Sequence, residues 1–100
     1  MSVLSDFFGT VFGGQQYSTS EHFLSEIEIK KCVSREHVAS LTEEECSVIE
    51  QALIERRRGD GKISLAQIHE VLVKLESSHK ISKYDKEGLM KVFRSFLGSR

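Results

Sequence analysis

A chain of 100 residues is long enough for one domain with one modest core. Its hydrophobic fraction of 39% and charged fraction of 29% suit an ordinary globular protein, and fourteen basic against fifteen acidic residues leave a net charge of −1. That balance argues against a dedicated nucleic-acid binder, which carries a clearly basic surface. Two cysteines are too few for a disulfide scaffold, and no apolar run approaches the ~20 residues that span a bilayer.

The chain contains no proline, so glycine and short polar residues do the punctuation. Val3, Leu4, Phe7, Phe8, Val11 and Phe12 recur at helical spacing, which predicts an amphipathic helix over residues 1–14. Ser2 can cap its start and Gly13-Gly14 its end, while Gly9 inside it costs about 1 kcal/mol relative to alanine. This opening stretch lacks the basic start of a secretory leader and carries Asp6, so a reducing, cytoplasmic setting is expected. Residues 15–19 then read as a flexible connector, and residues 20–97 as the helical domain.

Ser20 opens the next element, with Phe23, Leu24 and Ile27 at helical spacing. Ile27, Ile29 and Val33 also fit a period of two, which leaves the end of that element open between helix and strand. Ser34 is expected to cap a short helix through Val38 and Leu41. Thr42 caps a longer one: Thr42 and Glu45 form a capping box, Glu43 and Glu44 sit at its positive end, and Arg56, Arg57 and Arg58 at its negative end. Its inward face is Val48, Ile49, Ala52, Leu53 and the stem of Arg56. After GDG, a helix turns Leu65, Ile68, Leu72 and Leu75 inward, and a last one carries Leu89, Val92, Phe93, Phe96 and Leu97 before Gly98 stops it. Val33-Ser34, Ile63-Ser64 and Ile81-Ser82 form a weak repeat, in which a β-branched residue precedes a serine cap.

From Leu41 to Leu75 the chain resembles an EF-hand. LTEEE resembles the start of an entering helix, GDGKIS the centre of a calcium loop, and the helix from Leu65 an exiting one; the DGKIS turn also resembles that of TerB-like helical bundles. The resemblance makes Gly61 the sharp-turn glycine, Ile63 the residue that pairs with a partner loop and Ser64 the start of the exit helix. It also assigns the calcium-ligand places to Arg56, Arg58, Asp60, the Lys62 carbonyl and Gln67. A calcium loop needs oxygens at these places, including a closing bidentate glutamate. Two guanidinium groups stand where carboxylates belong, so a divalent cation is repelled. A partner hand would span Ser20 to Leu41, its loop running from Glu26 to His37 with Val33 facing Ile63. There Lys30, Lys31 and His37 fall where a carboxylate, the turn glycine and the closing glutamate belong.

Other chemistry has weaker support. Cys32, His37 and Cys46 lack the paired spacing of a zinc site, and His22, His69 and His79 are scattered. No nucleophile–base pattern and no phosphate-binding glycine loop is present, so no catalytic residue is nominated and no metal or cofactor is expected.

The expectation is therefore an all-α domain of EF-hand-like helix–loop–helix units, with at most very short strands. It would act without metal as a protein-interaction module or small regulatory subunit, by self-association or with a protein partner. The contact residues would be Phe7, Phe8, Val11 and Phe12, together with a groove of Ile68, Leu72, Leu75, Leu89, Val92, Phe93 and Phe96 that holds either the chain's own first helix or a partner's. A membrane is a poor destination for the first stripe, because its polar face carries no lysine or arginine. Two alternatives are nucleic-acid binding through Arg56, Arg57, Arg58 and Lys62, and a calcium-binding regulator.

Overall fold

The computed structural model describes residues 17–98. The helix expected over residues 1–14, with Phe7, Phe8, Val11 and Phe12, lies outside them. In chain order the elements are β1 (Glu21–Phe23), α1 (Glu26–Cys32), α2 (Glu43–Arg56), β2 (Lys62–Ser64), α3 (Leu65–Ser77) and α4 (Lys83–Gly98). The protein is mostly helical, with one small sheet.

Serine and threonine set most of the helix starts. Thr42 accepts from the Glu45 amide while Glu45 caps back onto the Thr42 N–H, the capping box expected from sequence. Ser64 and Gln67 do the same for α3, and Ser82 and Asp85 for α4. α1 differs from expectation. Its cap is Ser25, boxed with Glu28, and not Ser20. The residues that were expected to begin this helix form β1 instead, because they pair antiparallel with β2: Glu21 with Ser64, His22 with Ile63 and Phe23 with Lys62. The partner of Ile63 is thus His22, and the expected pairing with Val33 is corrected. A cross-strand ladder offers backbone groups an alternative to a helical turn, and here it wins over local helical spacing.

The segment after α1 also departs from expectation. Ser34 does not cap a helix. Its carbonyl accepts from both His37 and Val38 amides in an isolated turn, and its hydroxyl bonds His37 Nδ1 at 3.1 Å. Val38 and Leu41 are nevertheless buried as expected. Ser40 donates to Asp85, and Gly88 lets Val38 approach α4 closely: a β-carbon there would stand 3.3 Å from Val38 Cγ2. The extended β-branched residue before a capping serine therefore holds at Ile63-Ser64, while Val33-Ser34 belongs to a turn.

The helices close a ring. α1 packs on α2, α2 on α3, α3 on α4, and α4 returns to α1. Leu24, Ile29, Ile49, Leu53, Ile63, Ile68, Leu72, Leu89 and Phe93 are fully enclosed inside it. Ile49 and Leu53 face inward on α2 as expected, but Val48 is 38% exposed and Arg56 points to solvent, where it meets Glu70 at 3.4 Å. Three polar residues join the interior: Ser64 at the start of α3, His69 on α3 and Asp85 at the start of α4.

Candidate functional site

The loop between α2 and β2 carries the most chemistry of any segment singled out in the sequence. Gly61 adopts φ +82°, and a β-carbon there would meet the Phe23 ring at 2.7 Å. Both facts require glycine, since side chains disfavour the left-handed region and the ring needs the space. The Gly61 amide bonds the Arg58 carbonyl at 2.8 Å, and the Arg58 amide bonds the Lys62 carbonyl at 2.9 Å. Asp60 Oδ1 accepts from the Lys62 amide at 3.2 Å. The bend is thus closed by its own backbone and by the one carboxylate it contains.

The three arginines point three ways. Arg56 pairs with Glu70 of α3 on the surface. Arg57 turns inward: its Nη1 donates to the Leu24 carbonyl at 2.8 Å and its Nε to the Ile54 carbonyl at 3.3 Å, with Glu26 at 3.7 Å. The Ile54 carbonyl belongs to the last turn of α2, where intrahelical donors run out, so the guanidinium serves as a cap. Arg58 donates to Glu21 of β1 at 2.8 Å, and that bond raises its pKa further. Gln67 both caps α3 through its oxygen and donates to the other Glu21 oxygen at 3.4 Å.

Every place where the EF-hand resemblance puts a ligand is therefore engaged within the chain. The Lys62 carbonyl and the Gln67 oxygen have donors, Asp60 holds a backbone amide, and Arg58 is paired with Glu21. Arg57 and Arg58 tie the loop to the stretch Glu21–Glu26. The Leu24 amide adds a bond to the Gly61 carbonyl at 3.1 Å. Sequence spacing alone did not separate Arg57 from its neighbours. Its position immediately after the last helical residue is the signal that could have done so.

The apolar residues nominated as a partner groove fall into two groups. Ile68, Leu72, Leu89 and Phe93 are fully buried, so they form the core and do not line an open groove. The physical reason is that α4 packs against both α3 and α1 and fills that space itself. Leu75, Val92 and Phe96 are half-buried at the edge of the same core. Among the described residues, the large apolar side chains most open to solvent lie elsewhere: Tyr84, Ile27 and Phe23.

Among the described residues, no group of three or more His, Cys, Asp or Glu side chains stands together to hold a metal ion. Cys32 is buried and Cys46 half-buried. Burial, then the carboxylates of Glu50, Glu45 and Glu43, pushes the Cys46 thiol above its ordinary pKa against the pull of Arg35, which makes it a poor nucleophile. No helix of the described residues is long and apolar enough to cross a membrane.

Comparison with family models, with curated protein sequences and with solved structures finds no match to the chain.

Proposed function

We propose that the chain is a metal-independent interaction module built from EF-hand-like units, with its loop kept as scaffold. The observation that carries this is the set of bonds from Arg57 and Arg58 to Leu24, Ile54 and Glu21. Arg58 stands at a place where a calcium loop sets an oxygen ligand and turns out to Glu21, while Arg57 beside it ties the end of α2 to Leu24. The paired strands support the hand-like architecture: β1 and β2 lie side by side, and each is followed by a helix with a serine capping box. The partner strand is Glu21–Phe23, which lies ahead of the Glu26–His37 stretch.

Partner contact then falls to the apolar stripe Phe7, Phe8, Val11 and Phe12 and to the half-buried edge Leu75, Val92 and Phe96. A protein partner with an apolar helical face suits both. Nucleic-acid binding gains no support from this geometry, since a phosphate would compete with Glu70 for Arg56 and with Glu21 for Arg58. The test is affinity capture and oligomeric state, compared between the full chain and a Phe7/Phe8/Phe12→Ser variant. The variant should lose the partner or the self-association while its unfolding transition is kept. Equal capture and an equal oligomeric state in both would count against the proposal.

A further inference from the structure

Tyr17 and Ser18 are fastened to the helical body at three points. The Ser18 carbonyl accepts from the Ala66 amide at 3.0 Å, in the first turn of α3 where no intrahelical carbonyl is available. The Tyr17 ring lies against the His69 ring with centroids 4.6 Å apart and planes inclined at 34°. Arg94 of α4 places its guanidinium carbon 5.1 Å from the Tyr17 ring centroid. Tyr17 thereby spans α3 and α4, and the imidazole next to it is 8% exposed.

The surroundings of that imidazole suit its neutral form. α3 contributes Glu76 and α4 contributes Lys86, but these two are paired with each other at 2.6 Å. Glu76 is thus already engaged, and Arg94 adds a second positive charge on the α4 side of Tyr17. A proton on His69 would be opposed by its burial and by the positive charge of Lys86.

We propose that Tyr17 and His69 form a proton-operated clasp, in which protonation of the imidazole expels the tyrosine and frees residues 17–20 from α3 and α4 while the helical body stays folded. Tyr17 lies five positions beyond Phe12 in the chain. The clasp itself does not depend on the proposed function.

Burial, reinforced by Lys86 and partly offset by Glu76, holds the His69 pKa below the usual 6.5 in the closed form. Opening returns it toward that value. The closed form is therefore at full strength above pH 6.5 and weakens as the pH falls from there through the lower closed-state value. The closed-to-open ratio should drop about tenfold per pH unit across that window.

Ring signals of His69 and Tyr17 in the full chain, followed by NMR from neutral to mildly acidic pH beside far-ultraviolet dichroism, test this directly. The expected result is a Tyr17 transition that coincides with His69 titration, at a midpoint below 6.5 and with unchanged dichroism. Tyr17→Ala, which removes only the cover, should raise the His69 midpoint toward 6.5, and His69→Phe should leave Tyr17 insensitive to pH. Tyr17 signals that stay fixed while His69 titrates would overturn the clasp. So would an unchanged His69 midpoint in Tyr17→Ala, or helix loss over the same window.

Discussion

Phe93→Ala should lower the free energy of unfolding by about 3–5 kcal/mol, read from urea denaturation at constant slope. Phe93 is fully buried and heads the largest enclosed side chains of the core. It sits on α4, which packs against both α3 and α1, so the vacated space would be bordered by several elements. A gap of that kind cannot be closed by shifting one helix, so the cavity penalty adds to the lost transfer energy. Small domains hold only about 5–15 kcal/mol in total, so the variant would be close to unfolding. Phe93→Leu refills part of the space and should cost less. A loss below about 1 kcal/mol for alanine would mean that α4 is not integral to the fold.

Arg57→Met should cost about 1.5–3 kcal/mol, the range for hydrogen bonds to a charged group. Methionine keeps an apolar stem of comparable reach but cannot donate. The carbonyls of Leu24 and Ile54 then lose their bonds to the guanidinium, and the loop loses one of its links to the segment before α1. Arg56→Met is the control. Its partner Glu70 is exposed, and pairs of that kind contribute at most about 1 kcal/mol. Equal effects of the two substitutions would remove the special place given to Arg57.

What local chemistry decides was legible in advance. The Thr42–Glu45 box, the Ser64 cap, the inward faces of α3 and α4 and the sharp turn at Gly61 all follow from residues within a few positions of one another. What distant residues decide was not. Phe23 and Leu24 have helical spacing with Ile27, yet β1 forms because β2 supplies its ladder from the other side of α2. Ser25 and Glu28 did advertise the true cap of α1, and Ser20 drew attention away from them. The burial of His69 was also within reach, since it lies four positions after Leu65 and one after Ile68 on the inward side of α3. Only its place just after the last residue of α2 sets Arg57 apart locally, and the directions of all three arginines depend on the distant Glu21, Leu24 and Glu70. The burial of the nominated groove residues has a related reason. Apolar stripes on α3 and α4 identify faces that must be covered, and each stripe largely covers the other.

The central claim is that guanidinium groups of the chain itself, and no bound metal, hold the α2–β2 loop to the rest of the fold. Calcium titration followed through backbone amide signals tests it most directly. The predicted result is that the signals of Arg58 to Ser64 stay in place up to millimolar calcium. A saturable shift confined to Asp60–Ser64 would contradict the account, because it would show a cation seated where Arg58 and Glu21 now meet.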